Sequence, residues 1–137
     1  MNIEATIAVE GVETSDGRFI NRGALTWDPR LPVYFLEESP QAGGWDTKRA
    51  IGTIERVWRT GKRVVAEMRL DRGHGLSGQV SMCMEIDQVE TTSDDDLALG
   101  SRFMITEGRL RAVVIRARTT AAVWPECVFN IPMEEDK

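Results

Sequence analysis

The feature that most limits what this chain can become is a hydrophobic period of two that recurs along most of its length. In Ile3-Glu4-Ala5-Thr6-Ile7-Ala8-Val9 the odd positions are apolar and the even ones mostly polar or small, the pattern of a strand with one buried face. Val64, Ala66, Met68 and Leu70 repeat it, and so do Val80, Met82, Met84 and Ile86. Between the last of these fall Ser81, Cys83, Glu85 and Asp87, which the alternation assigns to the opposite face. No segment sustains the i, i+3, i+4, i+7 spacing of an amphipathic helix; one helical turn is expected at most, at Thr120–Val123.

Turn chemistry divides the strands. Ser15-Asp16-Gly17-Arg18 reads as a tight reversal, and Pro29 and Pro32 bar a regular helix around them, so the stretch near Leu25 and Trp27 is expected to be irregular. Leu31–Leu36 is a short apolar strand, followed by a loop over 37–47 with Pro40, Gly43 and Gly44. Ile51–Arg59 and Arg63–Leu70 flank Thr60-Gly61-Lys62 as a hairpin. A glycine-rich loop, Asp71–Gly78, precedes the strand bearing Ser81, and an acidic loop runs from Ser93 to Asp96. Arg102–Thr106 and Leu110–Thr119 are expected to form a last hairpin around Glu107-Gly108, ahead of a closing segment at Val128–Ile131. The expected fold is therefore mainly β, an antiparallel barrel or sandwich of six to seven strands with little helix, as a single domain over 1–137.

Composition narrows the functional classes. With 42% hydrophobic residues in 137, one real core is available without metal or disulfide support. The two cysteines, Cys83 and Cys127, show no C-x-x-C pairing and read as buried thiols rather than zinc ligands. One histidine and an acidic run without EF-hand spacing give no metal centre, and no phosphate loop or G-x-S-x-G elbow is present, so no cofactor is expected. A formal charge of −5 argues against gripping phosphate backbones, so no direct nucleic-acid partner is expected. The opening MNIEATIAVE lacks the basic and apolar regions of a signal peptide, and no apolar run reaches membrane-span length; the expectation is a soluble protein assembled in the cytoplasm, with no membrane partner.

A serine nucleophile needs a base to take its proton, and the single histidine, His74, lies in the loop just before the strand of Ser81. Nothing in the spacing forces the two together, and a histidine between two glycines is expected to be an exposed loop residue. The tryptophans, four in all, are numerous for this length; most are core or interface anchors. Trp45 stands apart, a bulky aromatic in a glycine loop, and with Trp27 and Trp124 it is a candidate contact residue.

The order of these pieces resembles the prohead (capsid maturation) serine proteases of tailed phages. Gly11–Trp27, GVETSDGRFINRGALTW, is similar to their opening "E-T-x-D-G-R" turn and "P-G-A-L-T-W"; Ala50–Arg59 resembles "V-V-G-R-I-D-x-I-W-R"; Gly78–Met82 resembles the strand "G-V-S-V-D-L" that carries their nucleophile; and Arg111–Ile131 resembles their closing segment. The resemblance implies a prohead-protease-like, herpesvirus-assemblin-like barrel with Ser81 at the nucleophile's place. It also breaks at two points. The family's "G-G-H-D" reads Gly43-Gly44-Trp45-Asp46 here, and an indole cannot accept a proton at neutral pH. The family's helix before the serine strand has shrunk to Asp71–Gly78. The C-terminal extension often fused to such proteases is not expected either. What the resemblance implies is a catalytically degenerate relative: a virion structural protein, either a decoration or a minor capsid protein, that contacts the major capsid protein or neighbouring copies. Two alternatives stay open, an active maturation protease with Ser81 as nucleophile and His74 as relocated base, and a head–tail or tail adaptor.

Overall fold

The period-two segments become the strands of one continuous sheet. The computed structural model describes residues 1–93 and 103–134, so the acidic run at 94–96 lies outside the described residues. Within them the strands are β1 (Asn2–Val9), β2 (Arg18–Ile20), β3 (Leu25–Trp27), β4 (Pro32–Glu37), β5 (Thr47–Thr60), β6 (Arg63–Leu70), β7 (Gly78–Ser93), β8 (Phe103–Arg116) and β9 (Val128–Ile131). Two 3-10 turns, Thr119–Ala121 and Pro125–Cys127, supply the only helical structure among these residues. The sheet runs β1-β6-β5-β4-β8-β7-β9 and curls into a nearly closed barrel, its seam formed where β1 packs on β7, β9 and the Pro125–Cys127 turn.

Alternation places the core. Ile3, Ala5 and Ile7 of β1 point inward; a register shift between Thr6 and Ala8 then buries Ala8 and Val9 in succession. Val64, Ala66, Met68 and Leu70 of β6 meet them, and Val80 and Met82 of β7 complete the floor. Full burial of a side chain such as Ile54 or Met68 stabilises by about 1.5–3 kcal/mol, which drives the curl that hides both ends of the sheet. The β5–β6 hairpin forms around Gly61 as its sequence requires. At its far end Gly52 packs against backbone: a Cβ there would lie 2.2 Å from the Arg69 carbonyl oxygen, so the strands can approach only at a glycine.

Three expectations are corrected. The sheet has nine strands among the described residues and is mixed: β2, β3 and β4 lie in succession along one edge of β8, all parallel to it, in the registers Arg18–Phe103, Leu25–Gly108 and Val33–Val113. Leu25–Trp27 is thus a strand, kept extended by β8 rather than by any local pattern. Finally, there is no hairpin at Glu107-Gly108. β8 passes straight through, held in line by β3: the Gly108 N–H donates to the Ala24 carbonyl at 3.0 Å, and Leu25 pairs with Gly108 in parallel register.

Candidate functional site

Ser81 lies where β7 is flanked on both sides, opposite Arg116 of β8 and Val128 of β9. Arg116 is also the register partner of Leu36 at the end of β4. The loop that follows β4, with Gly43, Gly44 and Trp45, therefore leaves the sheet at the end where Ser81 sits. Beyond β8 the chain bends back over Ser81 through the Thr119–Ala121 turn. The Ser81 hydroxyl donates to the Arg118 carbonyl at 2.9 Å and lies 3.4 Å from that of Arg116, while the Cys83 thiol faces the Ala121 carbonyl at 3.8 Å. Ser81 is fully buried. Its hydroxyl has become part of the packing under a turn, with no base among its hydrogen-bond partners.

His74 is not the exposed loop residue its glycine neighbours imply. Its side chain is completely buried. The Leu76 amide donates to Nδ1 at 2.9 Å, which puts the proton of the neutral ring on Nε2. That Nε2 has no hydrogen-bond partner among the described residues; its neighbour is Glu134 Oε2 at 3.7 Å. Glu134 in turn accepts the Gly73 amide with both carboxylate oxygens, at 2.9 and 3.1 Å. His74 is therefore committed to fixing its own loop and facing the C-terminal segment, and the structure does not bring it to Ser81 as a hydrogen-bonded pair. Nothing in the charged terminus pointed to Glu134 as its neighbour; that contact exists only because the chain end returns past the Asp71–Gly78 loop.

Trp45 is 92% exposed. Its loop is nonetheless built rather than loose. The Asp46 carboxylate accepts the Ser39 amide at 2.9 Å, the Gly44 amide donates to the Gln41 carbonyl at 3.0 Å, and a Cβ on Gly44 would fall 1.9 Å from Ser39 Oγ. The loop thus holds the indole outward. Glu38 at its root is gripped by Arg116 and Arg118.

The other tryptophan candidates sit differently. Trp124, expected as a possible contact, is a core residue: it is buried, and its Nε1–H donates to the Val12 carbonyl at 2.8 Å, tying the closing segment to the loop after β1. Trp27 is half-buried, with the Arg59 guanidinium 4.7 Å from its ring centre. Both cysteines are free; Cys127 is buried and Cys83 only half-buried, a correction to the reading of two buried thiols. Among the described residues no group of three or more His, Cys, Asp or Glu side chains is placed to hold a metal ion, and no helix is long and apolar enough to cross a membrane.

Comparison with family models, with characterised proteins and with solved structures finds no match to this chain. The site's own geometry carries the functional argument.

Proposed function

We propose that this protein is a non-enzymatic virion component, a capsid decoration or minor capsid protein on a degenerate prohead-protease-like fold, that binds the major capsid protein and neighbouring copies. The observation that carries the reading is the Ser81 hydroxyl: fully buried and bonded to the Arg118 carbonyl, with no imidazole beside it. A serine nucleophile must meet both a substrate carbonyl and a base that takes its proton. The loop that in the resembling proteases supplies the base leaves the sheet at the end that carries Ser81, but presents Trp45 to solvent instead. An exposed indole on a pinned loop suits a contact surface, since one aromatic anchor buries a large area at little entropic cost.

The test is to count this protein in purified mature particles and to co-express it with the capsid precursor. A fixed stoichiometry to the major capsid protein, with the precursor left intact, supports the reading. Cleavage of the precursor that Ser81→Ala abolishes would overturn it in favour of an active maturation protease.

A further inference from the structure

Among the described residues, the buried side-chain polar atom left without a hydrogen-bond partner is Nε2 of His74. The two nitrogens of this ring are occupied unequally. Nδ1 accepts the Leu76 amide at 2.9 Å, so in the neutral ring the proton sits on Nε2. That N–H stops 3.7 Å from Glu134 Oε2, beyond hydrogen-bond reach, although the side chain is completely buried. A buried donor left unpaired is costly, and here an acceptor stands just out of range. Charged groups meet the loop from two other elements. Glu134 comes from the C-terminal segment, with both oxygens on the Gly73 amide, and Arg49 of β5 donates to the His74 carbonyl at 3.3 Å. Asp71 and Arg72, on the loop itself, are exposed.

Protonation acts in opposite directions at the two nitrogens. The added proton goes to Nδ1, and an N–H there cannot accept the Leu76 amide, because two donors would face each other. At Nε2 the same charge draws in the Glu134 carboxylate, since a charge-assisted bond is shorter and stronger than a neutral one. We propose that His74 is a proton-operated switch that exchanges its Leu76 bond for one to Glu134, freeing Gly75–Gly78 while fastening Gly73 to the C-terminal segment. The hinge is Gly75, whose φ of 76° suits a residue without a side chain; beyond its chain neighbours nothing stands within 4 Å of where a Cβ would be. The half that moves carries Leu76, which packs against the core, and ends at Gly78, where β7 begins its pairing with Ile131 of β9. The Leu76 bond is thus present while the ring is neutral and is lost as pH falls through its titration. Acid loosens the approach to the strand of Ser81 and leaves the tail held. The inference is independent of the capsid reading: failure to join a particle would leave it standing, and its own failure would leave that reading standing.

Amide hydrogen exchange and imidazole 1H–15N spectra of the full chain, taken between about pH 8 and pH 5 where histidines change charge, test it. As Nδ1 gains its proton, the Leu76 protection factor is expected to fall at least about tenfold and that of Gly73 to rise. The opposite signs separate the switch from unfolding, which would lower both. His74→Gln, which cannot titrate, is expected to abolish both changes. Should that variant fail to fold, Glu134→Gln gives an independent reading. It keeps a carbonyl for the Gly73 amide but removes the charge, so the Gly73 rise should vanish while the Leu76 loss persists. A Leu76 amide that stays protected once Nδ1 is protonated, a Gly73 amide that loosens with it, or pH steps that survive in His74→Gln overturns the proposal. So does a Glu134→Gln variant that behaves like wild type, or a ring that gains no Nδ1 proton before the whole chain unfolds.

Discussion

Arg59, on the outer end of β5, grips the buried carboxylate of Glu10 through Nε at 2.7 Å and Nη2 at 3.2 Å, while the Leu25 amide donates to the same carboxylate at 3.1 Å. Three distant segments, the end of β1, the start of β3 and the β5–β6 hairpin, are fastened at this point, and Arg59 also covers Trp27. Burial alone would push the Glu10 carboxyl up, but the bond from Arg59 and the backbone amides of Leu25 and Gly23 together hold it below its usual 4.5.

Because the folded value is lowered, the stabilisation is present above the unfolded carboxyl's range and is lost as pH falls through the lower folded value. Urea denaturation is expected to show stability declining below about pH 4.5, the ordinary value of the carboxyl, and Glu10→Gln to flatten that decline. At pH 7 Glu10→Ala should cost about 2–3 kcal/mol, less than a fully buried pair because the Arg59 side chain is a third exposed.

Ser81→Ala removes one neutral hydrogen bond from a sealed position. Equilibrium unfolding should show a loss of about 1 kcal/mol, the usual net value for such a bond. A stability change well under this would mean that the Arg118 carbonyl does not depend on Ser81.

For His74, the Leu76 amide bond predicts a ring protonated at Nε2 when neutral, which a long-range 1H–15N correlation spectrum reads directly. Glu134→Ala should shift the Gly73 amide resonance and speed hydrogen exchange in the loop around it, since that amide loses both acceptor oxygens. An Nδ1–H ring would contradict the arrangement.

The two thiols should separate by reactivity. Burial, then the nearby Glu126 charge and Cys83, push the Cys127 thiol up to about 12, so it stays protonated, whereas Cys83 is half-buried. Iodoacetamide on the native protein should label Cys83 first, and Cys127 only on unfolding, as peptide mass mapping will show. A raised thiol value also means that stability declines as pH climbs from about 9, the ordinary value of the thiol, towards 12.

Two glycines give a contrast in the sheet. Gly52→Ala puts a methyl against the Arg69 backbone and should destabilise strongly, by about 3 kcal/mol or more. Gly108→Ala meets Ile105, Leu25 and Ile86 at 3.4, 3.5 and 3.6 Å, ordinary contact distances, and should cost less than about 1 kcal/mol by thermal unfolding. A cost at Gly108 as large as that at Gly52 would contradict this geometry.

Local pattern carried a good deal of this molecule. The alternation in Ile3–Ile7 and Val64–Leu70 determined which face is buried, but in Val80–Ile86 it did not, since Ser81 on the opposite face is fully buried and Met84 and Ile86 only half-buried; Thr60-Gly61-Lys62 determined the hairpin, because turn residues act between near neighbours. Trp45 stood out for the same reason: a glycine loop offers an indole nothing nearby to pack on. The tertiary structure alone decided the rest. Parallel pairing of β2, β3 and β4 with β8 joins segments with no turn between them, so no local signal records it, and the same pairing with β3 holds Gly108, an apparent reversal, in line. Buried His74 faces Glu134, whose segment returns from the chain end, and Ser81 bonds a turn that follows a different strand. Such contacts are chosen by how the barrel closes, and closure depends on the whole sheet's twist rather than on the residues beside it.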